Sequence, residues 1–405
     1  MRKPVLTIFY QYNPWQTSIG GIQTLISNFI KYAPDEFEVK LVGTGDEQTH
    51  RIGVWQEAEL HGKKLQFFPL FSLIKDDVRR IIPTTVKYSV ALFGRCFASD
   101  FMHFHRIEPT INTRQWKGDK TLFIHNDIRT QLLSKDTKQA ILWKHFPKAY
   151  FALETALITQ FNQILSCNHA STQFYQELYP SLSERFVNYR NSVDTDVFFP
   201  LSQADRDDRR QRFAKSLNLP ETTRFVLFAG RLHPQKDPVL LVRAIAALNE
   251  PNVHLLLAGD GELADVVHSE IARLGLSKKI TLLGAVKQNK LADLHCLSSL
   301  CVLTSAFEGL PLVVLEALAC GTPIVTTRAG DTPNLLTENS GIVCEERSPS
   351  IIADTLKQVL QHPERYPSEA CRLAAEPYSA RKVIHELYRD MWQRWEQKVI
   401  ASVTS

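Results

Sequence analysis

Residues 307–323 read FEGLPLVVLEALACGTP, and no other stretch of the chain says as much about the fold. The apolar run just before them, Leu300–Thr304, predicts a buried strand, so Ser305–Pro311 becomes the loop at the carboxyl end of that strand. The apolar residues of Leu312–Cys320 predict a helix, because Gly321 and a nearby proline then supply the usual termination signals. The stretch is therefore predicted to be one strand–loop–helix unit of a parallel α/β sheet.

Strand-like and helix-like runs alternate through the rest of the chain, as in doubly wound α/β domains. Up to residue 190 we predict a helix over 22–30 and strands at Val5–Tyr10, Val39–Val42, Phe101–Phe104, Thr121–Ile124 and Gln163–Ser166. From Arg224 onward we predict a helix at Pro238–Leu248 and strands at Phe225–Ala229, Val253–Ala258, Ile280–Leu283 and Pro323–Thr326. The predicted fold class is α/β, with two doubly wound Rossmann-like domains facing a cleft.

Length and composition agree with two domains. At 405 residues the chain exceeds the size at which a single core usually stops growing, and its 44% hydrophobic and 22% charged residues suit a globular protein. Turn-forming residues in Tyr189–Leu201 predict a linker. We therefore expect one domain over 1–190, joined by an amphipathic C-terminal helix at 380–405, and a second domain over 191–379.

Cysteines and apolar runs bear on the compartment. The seven cysteines are scattered and include no C-x-x-C pair, which favours free thiols in a reducing cytoplasm. No apolar run approaches 18 residues, so no membrane-spanning helix is predicted.

Charge is distributed unevenly along the chain. Residues 1–190 hold 23 Lys and Arg against 17 Asp and Glu, a balance of +6, whereas the remainder holds 24 against 26, a balance of −2. The basic first half suggests an anionic partner such as a phosphorylated acceptor or a membrane surface, although ordinary surface charge explains it equally well. No nucleic-acid partner is expected.

The loop and helix start within 307–323 predict an anion-binding site. The first backbone N–H groups of a helix lack partners and carry the positive end of its dipole, and Gly309 allows close approach of a ligand. Glu316, one turn inside the helix, is placed to reach a ribose hydroxyl, and Glu308 on the loop is placed to reach the hydroxyls of a sugar. The alternative is a βα turn with one surface and one packing glutamate.

Three further motifs follow predicted strands. Arg231 and Lys236 come after the strand that ends at Ala229, where two cations would neutralise a diphosphate; a pair of solvated cations is the alternative. Gly20-Gly21 precedes the first helix, and His125 follows the strand at Thr121–Ile124. His103 and His105 lie at the end of another predicted strand, but no third ligand accompanies them, so we expect no metal there and place His103 in the core and His105-Arg106 at the cleft.

Together these motifs resemble the donor-binding domain of retaining glycosyltransferases of family 4, which have the GT-B fold, over residues 225–340. The resemblance rests on the E-x7-E pair Glu308 and Glu316. It implies that Glu308 contacts the donor sugar and Glu316 the ribose. It also implies that the residues of the diphosphate site are the backbone amides around Leu310, Leu312 and Val313, with Arg231 and Lys236 as the cations.

The resemblance also assigns roles outside this segment. It implies that Gly20 and Gly21 let the first domain approach the donor phosphates, that His125 touches the sugar and aids the reaction, and that the base lies near Gly284–Val286. Acceptor contacts are expected at His105, Arg106 and Asn126. The chain has His125-Asn126 where the family often has His-Asp, which puts the local acceptor contacts in doubt.

The expected function is therefore metal-independent, retaining transfer of a sugar from a UDP- or GDP-sugar to a hydroxyl of a glycan or lipid-linked acceptor, without a cofactor. The 191–379 domain would bind the donor and the 1–190 domain the acceptor. A sugar-nucleotide epimerase of the same architecture and a non-catalytic nucleotide-sugar-binding protein are the alternatives. The segment Lys75–Arg95 mixes basic and apolar residues as an interfacial helix would, which predicts peripheral contact with the inner face of the membrane; a buried amphipathic helix is an equal alternative.

Overall fold

The computed structural model of the protein describes residues 2–16, 20–73, 83–125 and 146–404. These residues form two compact units, each with its own mainly parallel sheet. The first unit comprises the described residues up to Arg190 together with 381–404, and the second comprises 191–380. The chain therefore returns to the first unit after residue 380.

The first unit contains an eight-stranded sheet with the order β3-β4-β2-β1-β5-β6-β7-β8. Its strands are β1 Val5–Phe9, β2 Glu38–Gly45, β3 Gln56–Leu60, β4 Lys63–Ser72, β5 Phe101–Phe104, β6 Asp119–Ile124, β7 Gln163–Ser166 and β8 Phe186–Asn188. Its helices are α1 Gly21–Lys31, α2 Thr84–Leu92, α3 Pro147–Ile158 and α4 His169–Leu178, with 3₁₀ turns at Glu108–Asn112 and Pro180–Arg185. All pairings are parallel except that of the edge strand β3 with β4.

The second unit contains a six-stranded parallel sheet with the order β11-β10-β9-β12-β13-β14. Its strands are β9 Arg224–Ala229, β10 Val253–Ala258, β11 Ile280–Gly284, β12 Leu300–Leu303, β13 Ile324–Thr326 and β14 Gly341–Val343. Its helices are α5 Gln203–Ser216, α6 Pro238–Leu248, α7 Ala264–Arg273, α8 Gln288–Leu297, α9 Leu312–Ala319, α10 Thr332–Leu335, α11 Pro349–Gln361 and α12 Ser368–Ala375.

Burial on both faces explains why the strands of the second sheet are almost continuously apolar. Successive residues of a strand point to opposite faces, and here Leu227 joins one buried apolar layer while its neighbour Val226 joins the other. Helix α9 is apolar nearly all round because every residue after Leu312 is buried. Each fully buried leucine of these layers contributes roughly 1.5–3 kcal/mol.

The last helix, α13 Ala380–Thr404, packs on the first unit. The hydroxyl of Tyr388 donates to the backbone oxygen of Phe29 in α1 at 3.0 Å, and Arg394 pairs with the buried Asp119 of β6 at 2.6 Å. An amphipathic helix at the chain end is thus held by one apolar face and by a buried ion pair.

The predicted fold class is confirmed, since the chain forms two Rossmann-like α/β units with mainly parallel sheets. Several predicted strands and the helix at Pro238–Leu248 have the expected bounds within one or two residues. Sequence reasoning missed the hairpin of β3 and β4 and the short edge strands β8 and β14. Edge strands of three residues give too little periodicity to be distinguished from loops.

Candidate active site

The second sheet changes direction between β9 and β12. From β9 the chain moves outward through β10 and β11, and it then returns to place β12 on the other side of β9. Open α/β sheets bind ligands at the carboxyl ends of the strands where the order reverses. The two loops at this point are 230–237 and 304–311, and they carry the cations and the first glutamate singled out in the sequence.

Lys236 and Glu308 form an ion pair across this switch point. The ammonium nitrogen of Lys236 lies 2.5 Å from Oε1 of Glu308, and the side chains are only 18% and 8% exposed. Gln235 supports the same glutamate, because its amide nitrogen donates to the Phe307 carbonyl at 2.9 Å and to Oε2 of Glu308 at 3.4 Å. A mostly desolvated pair with a further donor is held in one geometry.

The backbone around Lys236 is fixed by groups from both loops. The hydroxyl of Thr304 donates to the carbonyls of Lys236 and Asp237, at 2.8 and 3.0 Å, and the Ala306 amide donates to Gln235 O at 2.8 Å. Asp237 has the left-handed φ of 46°, which is unusual for a residue with a side chain. Its carboxylate caps α6 by accepting from the Leu240 amide at 3.1 Å. These bonds offset the strain and set the position of Lys236.

Sequence reasoning did not assign Gln235 and Thr304 to the site. The start of the helix at Pro238 was predicted, and Asp237 followed by Pro238 is the local sequence signal for it. The contacts of Gln235 and Thr304 cross about 70 residues of sequence, so no local pattern announces them.

The N-terminus of α9 lies immediately after Glu308. Its N-cap residue is Pro311, whose side chain cannot cap the helix, so the first amides of the helix are available to an external acceptor. The carbonyl of Leu310 is held by the side-chain amide of Asn191 at 2.8 Å, and Leu310 and Val313 are themselves buried. The backbone amides that the sequence predicted for a diphosphate therefore begin a helix of eight residues, with Leu312 at its first position.

Glu316 lies one turn inside α9 and is 8% exposed. Burial raises the pKa of its carboxyl group to about 7, and the nearby Lys236 only partly opposes this effect. Neither a hydrogen bond nor an ion pair holds this carboxyl group among the described residues. A carboxyl group with a pKa near 7 and free acceptor capacity is well suited to bind a hydroxyl.

Two glycines keep the site loops close together. A side chain at Gly330, which has a φ of +59°, would lie 2.0 Å from the carbonyl oxygen of Gly309, and the neighbouring Asp331 amide donates to that same oxygen at 2.9 Å. A side chain at Gly259, which has a φ of +150°, would lie 1.8 Å from the Gly230 carbonyl. Only glycine permits these approaches.

The other predicted donor residues of this unit are more open. Arg231 is exposed and forms no ion pair among the described residues. Val286 is half-buried against the core beside the turn in which Gly259 N donates to Gly284 O at 2.7 Å.

The first sheet has its own switch point, between β1 and β5. Gly20 and Gly21 follow β1, and Gly20 is the N-cap of α1 with no side-chain cap. His105 follows β5, and His125 follows the adjacent β6. The Nδ1 of His105 and the Nε2 of His125 lie 2.9 Å apart, so one ring donates a hydrogen bond to the other.

These histidines are neutral. Burial lowers the pKa of His125 to about 3, with Arg106 acting in the same direction, and burial lowers the pKa of His103 to about 3 as well. Burial also places the pKa of His105 well below its usual range. Each ring therefore presents one N–H donor and one acceptor nitrogen at neutral pH.

His105 is buried where it follows β5. It is 2% exposed because its ring stacks on Phe123 at 4.8 Å and packs against Tyr10 as well as His125. His105 is thus placed to orient His125. Arg106 is exposed, and the third expected acceptor residue, Asn126, lies outside the described residues.

Comparisons with known proteins agree with this architecture. Residues 209–372, which include every donor residue discussed above for the second unit, match the family Glycosyl transferases group 1. A curated relative, D-inositol 3-phosphate glycosyltransferase of Mycolicibacterium smegmatis, is 29% identical over 229 residues, which are 55% of this chain and 50% of that protein. The chain thus spans about half the length of the curated relatives it matches. Residues 209–372 accordingly form a Glycosyl transferases group 1 domain.

Solved structures extend the likeness of the fold to the whole chain. Sucrose-phosphate synthase from Thermosynechococcus elongatus has a TM-score of 0.75 at 18% identity and covers 99% of this chain and 100% of its own. The Anabaena protein Alr3699/HepE in complex with UDP-glucose has a TM-score of 0.70 at 17% identity, with 97% and 100% covered. The chain has the GT-B fold, that of the structurally similar glycosyltransferases. Among the described residues, no helix combines the length and apolar character needed to cross a bilayer.

Proposed function

We propose that this protein is a retaining, metal-independent glycosyltransferase that moves a sugar from a UDP- or GDP-sugar to a hydroxyl of a glycan or lipid-linked acceptor. One observation carries the proposal: the Lys236–Glu308 pair lies beside the uncapped N-terminus of α9, at the switch point of the second sheet. This arrangement supplies a cation, helix-start amides and sugar-binding oxygens within a few residues of one another.

The diphosphate of the donor would occupy the start of α9. The backbone amides near Leu310, Leu312 and Val313 would donate hydrogen bonds to its oxygens, and the helix dipole favours negative charge there. Lys236 would exchange part of its contact with Glu308 for the phosphate, and Arg231, which is exposed, would be recruited as a second cation. Both would stabilise the charge that develops on the leaving nucleoside diphosphate.

The other parts of the donor, namely its ribose, its sugar and its base, would contact residues near the start of α9. Glu316 would bind the ribose hydroxyls, Glu308 would bind hydroxyls of the transferred sugar, and the base would lie near Val286. UDP-glucose is bound by the Anabaena protein of similar fold, which supports a nucleotide sugar as donor. The second unit is therefore proposed as the donor-binding unit.

Retention of configuration is proposed from the resemblance of the site to retaining glycosyltransferases, and the contacts of Glu308 argue for a retaining route without a covalent glycosyl-enzyme intermediate at Glu308. The oxygens of Glu308 contact Lys236 and Gln235, so Glu308 is a poor candidate for the free nucleophile that a double-displacement mechanism needs. In the proposed reaction the bond between the anomeric carbon and the diphosphate oxygen breaks. The acceptor oxygen attacks the anomeric carbon from the same face of the sugar that the diphosphate leaves. The acceptor proton passes to an oxygen of that diphosphate, and positioning with charge stabilisation lowers the barrier.

The first unit is proposed to contact the acceptor. Gly20 and Gly21 would approach the phosphates, and the neutral ring of His125 would hydrogen-bond the sugar in an orientation fixed by His105. The relative from Mycolicibacterium smegmatis is named for D-inositol 3-phosphate, a phosphorylated compound with several hydroxyl groups, which supports a hydroxyl group as the acceptor.

A cytoplasmic protein with peripheral membrane contact is also proposed. Helix α2 belongs to the segment Lys75–Arg95, of which 75–82 lie outside the described residues. In the described part, Val86, Val90 and Phe93 are 42%, 69% and 76% exposed and lie beside Lys87. Such a surface suits the interface of an anionic bilayer.

The decisive experiment is a transfer assay with purified protein, UDP-, GDP- and ADP-sugars, and glycan and lipid-linked acceptors, run with and without EDTA. We expect one nucleotide sugar to support transfer, an α-linked donor to give an α-linked product by NMR, and EDTA to have no effect. An inverted product would refute retention, and loss of activity in EDTA would refute metal independence. Epimerised nucleotide sugar without acceptor would identify an epimerase, and tight donor binding with no turnover would identify a binding protein.

A further inference from the structure

A cavity lies at the amino ends of the strands of the first sheet, opposite the edge that carries Gly20 and His125. Its volume is about 530 Å³, and residues from β1, β2, the turns before β5 and β6, and α13 line it. Strand β1 runs from Val5 in the cavity to Phe9 at the other edge, a span of about 13 Å at roughly 3.3 Å per residue. The cavity is therefore separate from the candidate active site and has no role in the proposed transfer.

Cations dominate the wall of the cavity. Arg2, Lys40, Lys117 and Lys398 line it, with Asp100 as the only acidic side chain among the lining residues. Arg2 is neutralised by Asp100, at 2.6 Å. Lys40 lies 3.1 Å from the half-exposed Glu38, and Lys398 lies 3.3 Å from Asp119, which Arg394 already pairs. Lys117 is exposed and has no acidic partner among the described residues, so the cluster keeps an excess of positive charge.

Two tryptophans form the apolar part of the wall. Trp55 is 38% exposed, and its ring packs against Phe68 and Phe97, with ring centroids 5.2 and 5.8 Å apart. Trp395 of α13 is 7% exposed, and the guanidinium carbon of Arg2 lies 4.6 Å from its ring centroid. The indole N–H of Trp395 is buried without an acceptor among the described residues, which is costly unless another group supplies one.

The floor between these walls is rigid. Asp100 accepts from the Val5 amide at 2.9 Å, and the Asp119 amide donates to Asp100 O at 2.9 Å. A side chain at Gly118 would lie 2.0 Å from the Ser99 carbonyl, so the two turns touch. A pre-formed cavity costs less ordering on binding than a mobile surface does.

We propose that this cavity binds an anionic sugar, meaning a sugar ring that carries a phosphate or carboxylate group. The lysines would bind the anion, and the Trp55 indole, which is 38% exposed and has the Lys40 ammonium 5.7 Å from its ring centroid, would pack against the C–H groups of the sugar ring. A volume of about 530 Å³ is within the usual range for small-molecule sites. Nucleic acid fits poorly, because the cations line one cavity and form no extended strip.

The test is calorimetric titration of the full chain in the presence of saturating UDP, which occupies the proposed donor site. The titrants are glucose 6-phosphate, a galacturonic acid disaccharide, maltose and inorganic phosphate. We expect at least one acidic sugar to bind at least tenfold more tightly than maltose and inorganic phosphate, and to lose affinity as salt is raised. The acidic sugar that binds decides between a free sugar phosphate and an acidic residue of a glycan.

Variants connect the binding to the cavity. Lys117→Ser and Lys40→Ser are each expected to weaken the acidic sugar about tenfold, whereas Lys64→Ser, the same change at an exposed lysine of the same unit, should leave it unchanged. Trp55→Leu should weaken the acidic sugar and spare inorganic phosphate. Melting temperatures identify any variant that fails to fold, and the lysine variants still decide the result if Trp55→Leu is lost.

Two results would overturn the proposal. One is that neither acidic sugar binds more tightly than maltose. The other is that Lys117→Ser and Lys40→Ser bind the sugar as Lys64→Ser does. Inorganic phosphate that binds as tightly as glucose 6-phosphate, with no effect of Trp55→Leu, would contradict the recognition of the sugar ring. Because UDP is present throughout, failure here leaves the proposed transferase activity untouched.

Discussion

The carboxyl edges of the two sheets carry opposite chemistry. At the second sheet, Lys236 and Glu308 form a mostly buried ion pair, and burial raises the pKa of Glu316. At the first sheet, burial holds the stacked rings of His105 and His125 neutral. Removal of water therefore leaves an ion pair and an acid with a raised pKa at one edge, and uncharged hydrogen-bonding rings at the other.

This difference bears on what each unit has to recognise. A diphosphate brings charge that must be matched, so its site needs cations and helix-start amides in fixed positions. An acceptor hydroxyl brings no charge, and a neutral imidazole can donate to it or accept from it. Four experiments test the contrast, from the largest expected effect to the smallest.

Acidification should lower the stability of the first unit more than that of the second. Histidines with lowered pKa values stay neutral in the folded chain but gain protons when it unfolds, so their contribution to stability falls as the pH drops below about 6.5. Between pH 7.5 and pH 5, His103 and His125 together should cost the first unit about 4 kcal/mol. In the second unit, burial likewise lowers the pKa of His295, which should reduce stability on acidification. The raised pKa of Glu316 should offset this loss, because it adds about 2 kcal/mol to the stability of the second unit over the same pH range.

Hydrogen exchange with mass spectrometry, corrected for intrinsic rates, reads the two units separately. Peptides from β5 and β6 should lose protection at pH 5, whereas peptides from β9 and β12 should change little. Unchanged protection of β5 and β6 at pH 5 would contradict the lowered pKa values of the histidines, and equal loss in both units would contradict the offset by Glu316.

Removal of the central cation should have the next largest effect. Lys236→Ala leaves Glu308 without its partner and removes a group that stabilises the leaving diphosphate, so kcat/KM should fall roughly 10²–10³-fold. Initial rates at saturating and limiting donor measure the change. Lys278→Ala removes an exposed lysine of the same unit and should retain full activity; near-normal transfer by Lys236→Ala would refute its role.

Neutralising the buried acid should stabilise the second unit in a pH-dependent way. A glutamate with a raised pKa destabilises the fold increasingly as the pH rises from about 4.5 to 7, so Glu316→Gln should gain about 3 kcal/mol at pH 7.5 but only about 1 kcal/mol at pH 5. Hydrogen exchange of β12 and α9 peptides measures the gain. Glu338→Gln, at an exposed glutamate, should gain nothing, and a pH-independent gain for Glu316→Gln would contradict the raised pKa.

The smallest effect on stability is expected at Arg231. Because this side chain is exposed and has no ion pair among the described residues, Arg231→Ala should change the free energy of unfolding by less than about 0.5 kcal/mol. Its transfer rate should nevertheless fall roughly tenfold if the donor recruits it. Thermal melting with and without nucleoside diphosphate provides the comparison, and an unchanged rate would remove Arg231 from the site.

Sequence reasoning predicted more of the second unit than of the first. Strand ends in the second unit fall next to charged and glycine-rich motifs, so Lys236, Glu308 and Glu316 could be singled out before any coordinates. In the first unit the corresponding residues are single histidines, which sequence patterns cannot separate from core histidines. The burial of His105 could not be predicted from its neighbours in the sequence, because it depends on Phe123 of β6 and on Tyr10, which directly follows β1.

By itself, the sequence determined the α/β class, the two cycles of strands and helices, and the loops that follow strands, because apolar periodicity and turn residues are local properties. The tertiary structure alone decided that Lys236 pairs with Glu308, that Glu316 is buried enough to raise its pKa, and that His105 holds His125. The Lys236–Glu308 pair depends on strand order, because β12 lies beside β9 although two strands separate them in the chain. Local patterns do not encode strand order, because it is selected by the packing of the whole sheet.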